Sequence, residues 1–520
     1  MRLLNRFTLF SAFLLACHTA ALSQTPQAIL KPRIDSILDA PRWSNARWGV
    51  LIADLTTSEI LYERDADKSF MPASNMKLYP TASAIKLLGP DFKYETHLYA
   101  NGPITRDGTL RGDLVIVGSG DPSISGRYLK DTPTTAILRQ WADAITSAGI
   151  RRITGSVIGD DDIYTDDQRE GTWQLDYYKD WFAAESSGLS INDNCWDAVV
   201  RPGAKIGAPA IVELPLKTRY YTIKNEIVTT GAAKRKSEDS TVRSSRELDE
   251  NVITLKGEVA LGAAPENVWG SIHNGTLYCA TMVREELQRH GVRVAGPPLD
   301  ADDIPNKADR LNAPKYRLLH THISPPLSRI LAIINKPSQN FYADMLIRTL
   351  GARFYKEGSV EKGRLAVRDV LTTAGADAST LAMVDGSGLS RQNLVQPRMT
   401  LALLALLAAS PEFQVFYDSL PIMGVDGTLK SRGKGTPIAG NVHAKTGYIN
   451  RVRCLSGYVT TRDQHRVAFS LMANNYTVET KFANDAQDSI TQLLANLPAD
   501  TTETLPLRND NTTGNSLAKP

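Results

Sequence analysis

Three short polar motifs stand far apart in this chain: Ser74-Asn75-Met76-Lys77, Ser338-Gln339-Asn340 and Lys445-Thr446-Gly447, with Ser338 lying 264 positions after Ser74. One helix and one turn need far fewer residues than that, so a separately folded insert must part the first motif from the other two. A chain of this kind can assemble its polar groups only if segments distant in sequence converge on one scaffold.

The pattern of apolar residues says what that scaffold is. Trp48 to Leu55, a turn at Thr56-Thr57 and Ile60 to Tyr62 read as a β-hairpin leading to Ser74. From Asn75 the run Leu78, Ala82, Ile85, Leu87, Leu88 reads as a buried helix closed by Gly89-Pro90, with Pro80 expected to kink it. Residues 98–305 carry short strands such as Asp113 to Val117 and Ile211 to Leu216 between Gly and Pro turns; they form the expected insert, with an inner β subdomain at about 203–261. Within it Ala232 to Asn251, charge-rich, reads as an exposed loop. Helical patterns return from Leu327, a turn at Asn335-Lys336-Pro337 follows, and Phe341 to Tyr355 reads as a helix. Cys454 to Thr461 and Arg466 to Ala473 read as a strand pair, and Ala483 to Leu497 as a closing helix. The simplest arrangement is α+β: residues 24–97 and 306–499 share one antiparallel sheet flanked by helices, interrupted by a mostly β, two-part insert. Residues 500–520 have little to bury and are expected to be disordered.

The 520 residues exceed what one core serves, so two or three compact units are expected, and 42% hydrophobic with 22% charged residues is ordinary for a folded, water-soluble chain. Residues 1–23 read as an export signal, with Arg2 and Arg6 before an apolar run from Phe7 to Ala16 and small residues before Gln24. The exported chain would reach the periplasm. Leu14-Leu15-Ala16 before Cys17 is a rival lipid-anchor reading, disfavoured by the bulk of Leu15. Without the leader the formal charge falls from +3 to +1, which points away from nucleic acid. Cys195, Cys279 and Cys454 then remain, with no CxxC spacing, and read as small buried apolar groups.

Short motifs occur by chance. The S-x-x-K spacing begins at Ser74, Ser83, Ser359, Ser431 and Ser516, and S-x-N also occurs at Ser190-Ile191-Asn192. Context selects among them. Ser74 alone opens a helix directly after a strand, where Lys77, three residues on, shares its face. Ser338 falls in a tight turn between helices, and the single K-[ST]-G lies where an edge strand with Gly447 would let a substrate backbone approach. His320 and His322 could ligate a metal, but no third ligand is spaced near them; Gly118-Ser119-Gly120 and Gly386-Ser387-Gly388 lack the rest of a nucleotide-binding fingerprint and read as turns. No metal and no cofactor is expected.

Together, in this order, the three motifs resemble those of the active-site serine penicillin-binding proteins. Pro72 to Lys77, Gly118-Ser119-Gly120-Asp121-Pro122, Asp385 to Arg391, Gly427-Thr428-Leu429 with Arg432, and Leu455-Ser456-Gly457-Tyr458 are similar to the D-alanyl-D-alanine carboxypeptidase/endopeptidase family of type-4, class C low-molecular-mass penicillin-binding proteins. The resemblance covers about Ile34 to Leu497 and implies a penicillin-binding, serine β-lactamase-like domain split after its first motif. It implies cleavage of D-alanine bonds in peptidoglycan stem peptides and inhibition by β-lactam antibiotics, leaving oligomeric state open. Ser74 would be the nucleophile and Lys77 its base, neutral through burial and the nearby positive Lys445. Ser338 would relay the proton to the leaving amine and Asn340 would hold Lys77 and the substrate amide. Lys445 and Thr446 would anchor the terminal carboxylate, and the N–H groups of Ser74 and Tyr448 would form the oxyanion hole. The resemblance also assigns Asp160 and Arg391 to a diaminopimelate side chain, although three adjacent aspartates also cap turns and an arginine there could pair only at the surface. The chain departs from the family at Pro80, at Tyr448, where Thr or Ser is common, and at Gln339, where Asp is frequent. Two other functions fit the same scaffold: a non-catalytic cell-wall binding protein, which would not need two lysines in one cleft, and a β-lactamase or esterase, for which no dedicated deacylating acid stands out.

Overall fold

A computed structural model describes residues 25–231, 240–311 and 316–498. The leader with Cys17, the tail from residue 499 and the basic run 232–239 lie outside the described residues.

Five antiparallel strands make the central sheet, in the order His443–Ile449, Val452–Thr460, Arg466–Asn474, Arg47–Asp54, Glu59–Arg64. The N-terminal hairpin therefore joins the C-terminal strands, with Arg47 opposite Asn474 and Asp54 opposite Val467. Strand side chains alternate between faces, and here both faces are covered. Val50 and Ile52 pack with Leu30, Ile34, Ile490 and Leu494 from the helices Pro26–Leu38 and Thr480–Ala495. Leu51 and Ala53 pack on the other face with Leu78, Tyr79, Leu346 and Leu403 from the helices Leu78–Leu88, Asn340–Tyr355 and Pro397–Ala408.

The insert has a core of its own. Its sheet runs Pro298–Asp300, Val157–Asp160, Asp113–Val117, Glu95–Asn101, Tyr316–Ile323, parallel at one end and antiparallel at the other. Because Tyr316–Ile323 pairs with Glu95–Asn101, the insert extends to about residue 323, past the boundary at 305 read from the sequence. It is also less purely β than expected. The helices Thr134–Ser147 and Gly275–Arg289 bury Ile137, Trp141, Ile145, Tyr278 and Leu287 with Leu98, Leu114 and Ile116 of that sheet. A smaller sheet of Thr222–Thr230, Val252–Ala260 and Arg243–Ser245 occupies the inner subdomain, so part of the stretch read as a loop is a strand.

Pro80 causes no break. It is the third residue of the helix Leu78–Leu88, within the first turn, where an N–H has no obligatory partner inside the helix. Gly89, with φ of +81°, ends that helix as expected.

Candidate active site

Ser74 does not open an α-helix; it sits in a 3-10 turn, Ala73–Lys77, that runs straight into Leu78–Leu88. Its neighbour Ala73 is held at a φ of +46°, and Ser338 at +67°, both in the left-handed region that costs a non-glycine residue on the order of 1 kcal/mol or more. Tight packing imposes this strain. Asn75 donates to Ser456 Oγ at 2.7 Å, and Ser456 bonds to Ser470, which ties the turn to the middle of the sheet.

The structure brings all five motif side chains together. Lys77 Nζ lies 3.0 Å from Ser74 Oγ, 2.7 Å from Asn340 Oδ1 and 2.6 Å from the carbonyl oxygen of Ser387. Lys445 Nζ reaches Ser338 Oγ at 2.8 Å, and Thr446 Oγ1 lies 2.7 Å from Thr428 Oγ1. Ser74 and Ser338 are half-buried, whereas Lys77 and Lys445 are fully enclosed.

Burial disfavours the charged form of an amine. It pulls Lys77 down to about 8, opposed by the carboxylates of Asp344 and Asp385. Lys445 is pulled well below the usual lysine range, first by burial and then by Lys77 and Arg453. Of the two causes expected for the weakened basicity of Lys77, burial is the one that acts; Lys445 is not among its causes.

Gly447 also has a packing reason that the sequence did not show. A Cβ there would lie 2.4 Å from the Pro72 carbonyl oxygen and 3.1 Å from Asn75 N, so the glycine lets the strand pack on the Ser74 turn. Tyr448, 55% exposed, is at the rim of the cleft on the edge strand, with Arg453 over its ring.

Several groups of this centre left no short motif. Ser387 belongs to the turn Gly386-Ser387-Gly388, which supplies a carbonyl to Lys77 beyond merely reversing the chain. Asn340 donates Nδ2 to the carbonyl oxygen of Phe182, in the insert. Gln339 donates to Asp193 Oδ2, itself paired with Arg127. The seven-residue run Asp385 to Arg391, already singled out, was the one signal that could have found Ser387.

Asp160 and Arg391 are not brought together. Asp160 Oδ1 accepts the N–H of Asp162, and its carboxyl faces Asp162, Lys307 and Asp302, beside a cluster in which Asp161, Asp300 and Asp302 hold oxygens within 4.8 Å of one another. The bond to Asp162 caps the turn with one carboxyl oxygen. Arg391 is exposed at the cleft rim, donating to the carbonyl of Asn450 just past the edge strand.

The competing motifs have structural roles. Ser83 is buried in its helix, Ser359 caps Val360–Thr373, Ser431 is exposed, Ser516 is outside the described residues, and Asn192 bonds to the Cys195 carbonyl and Asp197. His322 packs on Trp141 and is pulled to about 4 by burial. Cys195, Cys279 and Cys454 are free and buried.

The chain is 31% identical over 477 residues to the D-alanyl-D-alanine carboxypeptidase of Actinomadura sp. (strain R39), covering 90% of this chain and 84% of that one. It is 28% identical over 446 residues to the D-alanyl-D-alanine carboxypeptidase DacB of Haemophilus influenzae, covering 84% and 87%. The crystal structure of penicillin binding protein 4 (dacB) from Haemophilus influenzae superposes with a TM-score of 0.74 at 25% identity, over 88% of this chain and 97% of that one. A second structure of that protein, complexed with a novel β-lactam, matches with a TM-score of 0.69. The fold is thus α+β and penicillin-binding-protein-like. With residues 30–497 matched end to end by the family's own sequence pattern, the chain belongs to the D-Ala-D-Ala carboxypeptidase 3 (S13) family.

Proposed function

We propose that the chain is a serine DD-peptidase that hydrolyses the terminal D-Ala-D-Ala bond of peptidoglycan stem peptides, and D-Ala-diaminopimelate crosslinks, through an acyl-enzyme on Ser74. The observation that carries this is the position of Lys77 Nζ, 3.0 Å from Ser74 Oγ and drawn to about 8 by burial. An amine near that value is a competent base at neutral pH.

In acylation the Ser74 hydroxyl gives its proton to neutral Lys77 as Oγ attacks the penultimate D-alanine carbonyl. The N–H groups of Ser74 and Tyr448 take up the oxyanion charge. The bond to the leaving D-alanine nitrogen breaks, and the proton reaches that nitrogen through Ser338, which Lys445 holds. Lys445 and Thr446 meet the terminal carboxylate. Water then attacks the ester, Lys77 takes the water's proton, and Ser74 is released. A β-lactam amide enters by the same attack and stays on Ser74. Asp160 and Arg391 would meet the ionised ends of a diamino acid side chain. Residues 1–23 would direct the chain to the periplasm, where that substrate is.

Labelling with a radioactive penicillin, followed by intact-mass analysis, tests the assignment: one acyl group per chain, lost in Ser74→Ala and kept in Ser83→Ala and Ser359→Ala. A label surviving Ser74→Ala sinks it. Incubation with crosslinked muropeptides separates carboxypeptidase from endopeptidase activity, and sustained β-lactam turnover would point to a β-lactamase instead.

A further inference from the structure

Lys77 is surrounded by more acceptors than a neutral amine can serve. An ammonium has three N–H bonds, enough for Ser74 Oγ, Asn340 Oδ1 and the Ser387 carbonyl; the neutral amine has two. The Asn340 and Ser387 oxygens can only accept. They therefore claim both N–H bonds of the neutral form, and the remaining lone pair faces the Ser74 hydroxyl, whose proton it must take. The direction of the base depends on where the Ser387 carbonyl points.

That carbonyl is held from behind. Asp344, 1% exposed on the helix Asn340–Tyr355, accepts the N–H groups of Gly386 and Ser387 with one oxygen, Oδ1, at 2.8 and 2.9 Å. Its other oxygen is buried without a hydrogen-bond partner. Asp385 holds the far side of the same turn through the N–H groups of Gly388 and Ser390. Side chains are excluded on both flanks: a Cβ on Gly386 would lie 2.4 Å from the Ala343 carbonyl oxygen, and one on Gly388 1.8 Å from that of Ala73, next to the nucleophile. A buried carboxyl with an orphaned oxygen is costly for the fold. Its retention beside the base calls for a function.

We propose that Asp344 is a positioning residue for the reaction: by gripping the Gly386 and Ser387 N–H groups it aims the Ser387 carbonyl at Lys77, and so turns the Lys77 lone pair onto Ser74. This rests on the reading of Lys77 as the base of acyl transfer to Ser74. The titratable groups facing Lys77 are Asp344 from its helix, Asp385 from the turn and Lys445 from the edge strand. Burial and the neighbouring Asp385 push the Asp344 carboxyl well above the usual carboxylate range, so its grip on the turn, and not a charge beside Lys77, is the role assigned to it.

The test follows acylation of the full-length protein by a fluorescent penicillin across pH, in the parent, Asp344→Asn and Asp344→Leu. Asp344→Asn keeps an oxygen for the two N–H groups. Its plateau rate should stay on the parent's order of magnitude. Asp344→Leu fills the space without an acceptor, and its plateau should fall on the order of 100-fold, with thermal unfolding reporting whether the fold is kept. A folded Asp344→Leu that acylates at the parent's plateau overturns the proposal. So does an Asp344→Asn plateau that falls on the order of 100-fold although the acceptor is kept, which decides the matter alone if the leucine variant fails to fold. Failure of the underlying reading looks different: the parent takes no label, or Ser74→Ala keeps it.

Discussion

Asn340 donates its Nδ2 to the Phe182 carbonyl at 2.8 Å, which leaves Oδ1 pointing at Lys77. An amide can be turned either way, and here a backbone oxygen of the insert settles the choice. Asn340→Asp removes the donor and brings a carboxylate to within 2.7 Å of the amine. An adjacent opposite charge raises a lysine, so the pH needed for acylation should rise by about 1–3 units and neutral-pH acylation should fall by about 10- to 1000-fold. Stopped-flow acylation against pH measures both.

The parent protein should itself be pH-dependent. Only neutral Lys77 can take the Ser74 proton, and Lys77 sits at about 8. Acylation should therefore climb tenfold per pH unit below that point and level above it, with roughly one-tenth of molecules competent at pH 7. A flat profile between pH 6 and 9, a window of about three units around the amine, would remove Lys77 from the base role.

Gly447→Ala should cripple the centre without touching a polar group. The added methyl meets the Pro72 carbonyl oxygen at 2.4 Å and forces the edge strand away from the Ser74 turn. A misplacement of about 1 Å costs on the order of 100-fold in acylation. Near-parental rates in labelling kinetics would show that the strand can give way.

Gln339 explains a departure from the family pattern. It donates to Asp193, which is buried and already shares Arg127 with Asp197. Gln339→Glu adds a third carboxylate to one guanidinium, and should lower stability by about 1–3 kcal/mol in urea unfolding, more at high pH than at low.

Arg432 grips the closing helix through Asp488 at 2.6 Å and the Asn484 carbonyl at 3.1 Å. Arg432→Ala leaves a largely buried carboxylate with Asp485 beside it and Arg453 as its remaining cation, and should cost about 3–5 kcal/mol in chemical denaturation.

The sequence was most legible where chemistry needs particular side chains at fixed spacing. Ser74, Lys77, Ser338, Asn340 and Lys445 could be named because hydroxyl, amine and amide are required and rare in that order. Backbone groups carry no such mark: the Phe182 and Ser387 carbonyls could have come from any residue. Asp344 hid for a related reason, since a lone acid inside an apolar helix has no partner pattern in sequence. The helix Thr134–Ser147 did show its period, in Ile137, Leu138, Trp141, Ala142 and Ile145, but the Gly and Pro turns around it drew the reading towards strands.

The strand Arg466–Asn474 lies at the middle of the catalytic sheet, hydrogen-bonded to Arg47–Asp54 on one side and Val452–Thr460 on the other. It is made after the whole insert. The insert, with its own core, can fold while this strand is still missing, but the edge strand that carries Lys445 has no sheet to join until the strand arrives, so the chain stays chemically inert until its two halves have met.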